Sequence, residues 1–460
     1  MRSKFSGAFM LLGLLLLLFA STQTLFANSS PRALALKAVS ENSAEAAPAI
    51  AELRALGPAG LDELFRTYAR EIDQQVTHPL LAATPDWKRL SAALDEVSQQ
   101  KDSYLSGLYW YTDFAQANAA ARAANKPILS LRLLGKLNEE FSCANSRFFR
   151  TILYSNAEVS KMLREKFILY WESERPAPRV TIDFGDGRKL ERTLTGNSIH
   201  YILDSDGKVI DALPGLYGPA AFMRLLNQME AVFREPVNSP LNSPMNSKDR
   251  LVVQAVPYDR ARLNAANVAW YADIQKTGGK IPSGLIMVEQ NSEGQPTAIS
   301  AAPYAMTKVF SEANMLKAII GAPVVLGTVT DQATWNKIAQ LHIADAKLDE
   351  RSLGLIQRQT QGALSSDGSD KNKLKAFAAL TERLQQNIAL DTVRNEYLLH
   401  TKLYGWLMID NDFRDVKKLD AKVYSDLFLT PASDPWLGLF SPEVYTALQG
   451  GGIIRGSGAN

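Results

Sequence analysis

The chain has 460 residues, 46% hydrophobic and 21% charged, an ordinary globular profile rather than a disordered or fibrous one. Its net charge of +2 is matched by Arg2 and Lys4 in the leader, so the remainder is neutral. That excludes an electrostatic case for nucleic acid or an anionic membrane as partner. A single cysteine, Cys143, excludes an intrachain disulfide and any multi-thiolate metal site, and the four histidines (His78, His200, His342, His400) leave little room for a histidine-rich metal centre.

Residues 1–27 read as a signal peptide. Arg2 and Lys4 form a basic start, and Leu11 to Phe19 is an apolar core interrupted by Gly13. Leu25-Phe26-Ala27 offers a small residue for cleavage. The apolar core is short for a membrane span. The expectation is export to the periplasm or the extracellular space, with an uncleaved N-terminal anchor as the rival. No second long apolar run follows, so no stable membrane insertion is expected after cleavage. A lone thiol is unusual in an oxidising compartment.

Residues 28–106 read as a helical N-terminal region. Its apolar spacing over 49–61, broken at Gly57-Pro58, resembles part of one HEAT-type repeat. No second copy follows at a fixed period, so a helical cap on the next domain is expected.

Residues 107–234 change character. An Ala-rich helix over Phe114–Asn125 ends in Asn125-Lys126-Pro127. Ile128–Leu134 is a continuous apolar run with one arginine, fitting a buried strand. Ser146–Lys166 reads as helix and Phe167–Trp171 as a second buried strand. Two hairpins follow, over 180–194 and 199–211, the first turning at Gly185-Asp186-Gly187. Ala220–Phe233 closes the region as a helix.

Residues 235–249 carry a repeated Asn-Ser-Pro and read as an extended linker. Residues 250–447 read as a mostly helical C-terminal domain, with a hairpin over 284–300 and long helices over Lys371–Leu390 and Thr392–Leu407. Residues 448–460 are a glycine-rich tail, expected to be disordered.

One constellation carries chemistry. The run Trp110, Asn125-Lys126-Pro127, a buried strand, Cys143-Ala144-Asn145-Ser146, Tyr154-Ser155-Asn156-Ala157-Glu158-Val159 and a final hairpin at 201–209 resembles the thioredoxin-like superfamily, in its periplasmic thiol-disulfide branch. The resemblance covers roughly residues 110–235. It implies an α/β thioredoxin-like domain, so the whole chain reads as that domain flanked by a helical N-terminal cap and a mostly α-helical C-terminal domain. It places Cys143–Ser146 at the family's Cys-x-x-Cys, as Cys-x-x-Ser. Ser146 in place of the resolving cysteine removes an intramolecular dithiol cycle. Ser198 stands where the family has its cis-proline, Ser142 replaces the usual tryptophan, and the hairpin at 180–194 replaces a helix.

A thiol at a helix N-terminus faces unpaired N–H groups and the positive dipole end, which favour thiolate. Cys143 is therefore the expected nucleophile. Ser146 is expected to donate to its thiolate, and Arg147, with Arg150, to add positive potential. Asn197, Ser198 and His200 are expected to line the facing substrate groove. The reaction would be thiol-disulfide exchange through a mixed disulfide with a protein or small-thiol partner, needing no cofactor and no metal. The rival expectation is a redox-silent binding or scaffold module of the cell envelope. His200 also reads as a core histidine.

Elsewhere, Glu396 and His400 share a helix face and read as a salt bridge rather than metal ligands. Asp410-Asn411-Asp412 lacks the glycine and distal glutamate of a calcium loop and reads as a helix break. No phosphate-binding loop and no Gly-x-Ser-x-Gly elbow occurs. Trp436, in a turn-rich segment over 431–439, is expected to lock the tail onto a surface.

Overall fold

The computed structural model describes residues 30–234, 247–279, 305–308, 311–312, 330–361, 370–437, 439, 447–448 and 453. The expected signal peptide, residues 235–246 of the linker, the hairpin at 284–300 and most of the tail lie outside them. No helix among the described residues is long and apolar enough to cross a membrane.

Five helices come first: α1 (Pro31–Ala38), α2 (Ser43–Ala55), α3 (Pro58–Thr67), α4 (Ala69–Thr77) and α5 (Pro85–Ser98). Sequence sets their starts. Ser30, Asn42 and Thr84 each accept an N-terminal backbone N–H, and proline occupies the first turn of α1, α3 and α5. These helices bury a core of their own, from Leu34 to Leu105, which also takes in Leu355 from the C-terminal region.

Next come β1 (Trp110–Tyr111), α6 (Phe114–Ala124), β2 (Ile128–Leu134), α7 (Ala144–Phe148), a π-helical turn (Phe149–Tyr154), α8 (Ala157–Lys166) and β3 (Ile168–Arg175). The helix read over 146–166 is thus broken in two. Asn156 accepts from Glu158 N and Val159 N and starts α8 afresh. Then follow β4 (Arg179–Asp183), β5 (Lys189–Thr193), β6 (Ile199–Leu203), β7 (Val209–Pro214) and α9 (Pro219–Arg234).

Five strands form one mixed sheet in the order β1-β3-β2-β6-β7, while β4 and β5 pair only with each other. β3 runs parallel to β1 and β2, and β6 runs antiparallel to β2 and β7. Every residue of β2 is buried, as its continuous apolar run requires. Its one charge, Arg132, is paired with Glu172 and Glu174. Strand alternation splits the sheet into two faces. His200 meets Phe149, Tyr154 and Phe222 on one face, under the π-turn and α9. On the other, Tyr170 meets Phe114 of α6, and the Tyr201 hydroxyl donates to Asp420 at 2.8 Å.

The C-terminal helices are α10 (Ser247–Lys276), α11 (Gln332–Leu341), α12 (Glu350–Thr360), α13 (Asp370–Arg394), α14 (His400–Ile409) and α15 (Val416–Lys422). The last residues of the expected linker, 247–249, belong to α10. A π-turn over Asn395–Leu399 joins α13 to α14. The expected Glu396–His400 bridge does not form. Glu396 pairs with Arg224, and His400 reaches Asp211 of β7 at 2.7 Å. Trp436 is 46% exposed rather than buried. Arg175 holds the segment by donating to the carbonyls of Thr430, Pro431 and Asp434. The sheet and the C-terminal helices share one continuous hydrophobic core, from Leu108 to Phe428. They are not two bodies on a string.

Candidate functional site

Cys143 reaches its place by a fixed route. After β2 the chain turns at Gly135, whose φ is +77°, and returns so that Cys143 N donates to Leu134 O at 3.0 Å. Arg150 pins the intervening loop by donating to the carbonyls of Leu137 and Glu139, at 3.0 and 2.6 Å. Cys143 is the N-cap of α7, with φ −58° and ψ 158°.

The facing loop joins β5 to β6. Thr195 and Gly196 both take positive φ, at +57° and +82°. A Cβ on Gly196 would sit 2.1 Å from Leu134 Cδ1, so this close approach requires glycine. The turn presses Asn197 and Ser198 against the start of α7. Ser198 Oγ lies 2.9 Å from Cys143 Sγ, and Ser146 Oγ lies 3.4 Å from it. Asn145 Nδ2 donates to Asn197 Oδ1 at 3.3 Å.

The structure thus brings Cys143, Ser146, Asn197 and Ser198 together, as expected from sequence, but among the described residues it leaves them no open groove. Cys143, Ser146, Ser198 and His200 are 0% exposed and Asn197 is 4% exposed. C-terminal residues close the site. Tyr424 donates to Asn197 O at 3.1 Å. Lys308 Nζ donates to Asn197 Oδ1 at 3.5 Å, and Glu312 accepts from Thr195 N at 3.1 Å. Lys308 and Glu312, 3.9 Å apart, form a buried pair. Burial raises the Glu312 carboxyl above the usual range, opposed by Lys308 and the Thr195 N–H. Burial also pushes the Tyr424 phenol well above its ordinary value.

Three expected roles change. Ser146 donates its single hydroxyl proton to Cys143 O at 2.8 Å. Toward sulfur it is then an acceptor, not the donor a thiolate wants. Arg147 turns away: its Nη2 donates to Thr193 Oγ1 at 2.8 Å, bracing the β4–β5 hairpin. His200 bonds Tyr154 through Nε2 at 2.6 Å, with its Nδ1 buried and unpaired. Burial lowers its pKa to about 3 and keeps the ring neutral. It is a core histidine on the sheet face, not a base at the thiol.

Lys308, Glu312 and Tyr424 were missed from sequence. Lys308 and Tyr424 lie 111 and 227 residues from Asn197, and no local pattern marks either. Chemically, the arrangement holds a thiol among hydroxyls, shielded from solvent. Exchange needs a disulfide sulfur to approach the thiolate directly, and Cys143 is fully buried. Among the described residues no group of three or more His, Cys, Asp or Glu side chains is placed to hold a metal ion. No protein-family model matches the chain, and no significant match emerges among curated proteins or solved structures.

Proposed function

We propose that this is an exported binding or scaffold protein, built on a redox-silent thioredoxin-like domain whose thiol site has become an internal seam. The observation that carries this reading is the complete burial of Cys143 and Ser198 under Tyr424, Lys308 and Glu312. The thioredoxin-like assignment is supported by element order. Trp110, the helix ending Asn-Lys-Pro, the buried strand, the cysteine at a helix cap and the last hairpin follow one another as the resemblance implies, and five strands join in one sheet. The C-terminal helices share a core with that sheet, which supports a scaffold role better than a detachable regulatory one.

A second reading, monothiol exchange, draws on one observation: Cys143 caps α7 with Sγ between two hydroxyls. It requires the cover to lift. Incubating the folded full chain with glutathione disulfide, followed by intact mass, separates the two. The proposed reading predicts an adduct of one glutathione only after denaturation. A stoichiometric adduct on the folded protein, released by added thiol, overturns it and favours exchange.

A further inference from the structure

One side of α7 borders a half-open cavity of about 820 Å³, walled by α12, α13, Thr307 and Ser311. That size lies within the range of small-molecule sites. Ala144, Arg147, Phe148 and Thr151 supply one wall at helical spacing. Opposite them, Ile356 comes from α12, and Leu380 and Leu384 from α13. The apolar walls are interrupted by charge of mostly one sign: Arg147, Arg150 and Arg383 against Glu140. Glu140 is paired with Lys101. Arg150 is spent on backbone carbonyls. Arg147 bonds Thr193 through Nη2, and its Nε is buried and unpaired. Arg383 forms no ion pair or hydrogen bond among the described residues and is exposed at the rim. The cavity is thus apolar with uncommitted guanidinium capacity.

We propose that this cavity binds a small apolar carboxylate, its tail against Phe148, Leu380 and Leu384, its head held by Arg383 and Arg147. Guanidinium recognises carboxylate through directed, charge-assisted hydrogen bonds that a neutral head cannot match. The proposal deepens the binding-module reading and rests on it. Arg147, expected from sequence to serve the thiol, serves the ligand instead.

The test is calorimetric titration of the full chain with decanoate, with decanol, decyltrimethylammonium and acetate as controls for head charge and tail. Saturable decanoate binding is expected, with decanol and acetate at least about tenfold weaker. Arg383→Gln is expected to weaken decanoate about tenfold or more. Arg383 is exposed, so this variant keeps its fold, which a thermal melt checks. Ala379→Trp, which fills the cavity from α13, is expected to abolish binding. No saturable decanoate binding overturns the proposal. So does decanol binding as tightly as decanoate, or binding unchanged in both variants. The glutathione experiment reports on the thiol alone, so failure here and failure of the redox-silent reading are read separately.

Discussion

Two of the places where the C-terminal region docks on the sheet differ in their chemistry. At the β7 edge the contacts are charged. Asp211 is fully buried and accepts from His400 at 2.7 Å and from the Tyr258 hydroxyl at 3.1 Å. Nearby, Arg414 pairs with Asp259 and donates to the carbonyls of Val209 and Ile210, both at 3.1 Å. Lifting these helices would strand buried charge, which is costly. At the thiol end the direct contacts to the sulfur are two hydroxyls, and a phenol and a long Lys308 contact reach Asn197. The buried Lys308–Glu312 pair, 3.9 Å apart, carries charge there without a close salt bridge. The β7 edge is the anchor, and the thiol end is where the seam would open first.

The largest expected effect breaks the anchor. Asp211→Ala leaves the buried His400 and Tyr258 donors without their acceptor and should cost about 1–3 kcal/mol for each. Urea unfolding reads this, and a loss under about 1 kcal/mol would remove the contrast between the two docking places.

Next is a pH effect on the sheet face under the π-turn and α9. His200 titrates near 3 when folded, against about 6.5 in an unfolded chain. Its folded pKa is depressed, so its contribution is present above pH ~6.5 and lost as pH falls toward 3. Stability of the native chain should therefore drop across that window, and His200→Phe should flatten the drop. A variant with an unaltered acid slope would show that His200 is not held neutral.

Tyr424→Phe removes one bond from the cover and should cost about 0.5–1.5 kcal/mol. It should also speed alkylation of Cys143 in the folded protein more than Asp211→Asn does at equal global stability. Equal rates would place the opening elsewhere. The smallest effect is expected for Ser198→Ala, below about 1 kcal/mol, because a thiol-hydroxyl contact is weak. Native alkylation should stay slow in that variant.

The contrast also explains what was legible in the sequence. β2 was legible because a strand buried on both sides is apolar along most of its length, here broken by Ser130 and the paired Arg132. The hairpin at 179–193 was legible because Gly185 and Gly187 take positive φ, at +76° and +92°. The meeting of Cys143 with Ser198 was legible because the resemblance supplied a contact that spacing alone does not. The cover was not. Lys308 and Tyr424 act through single long-range contacts, and neither sits in a periodic pattern that points to a thiol. The helix break at Asn156 was missed for a different reason. Apolar spacing continues across it, while the extended backbone of Asn156 and its side-chain cap on Glu158 N and Val159 N interrupt the helix.

The most direct measurement is the alkylation rate of Cys143 in the folded full chain, relative to the denatured chain, across pH. A sealed seam predicts a folded rate about a thousandfold or more below the denatured one, set by local opening. A folded rate equal to the denatured one, or faster with an apparent pKa well below the ~8.5 of a free thiol, would contradict it.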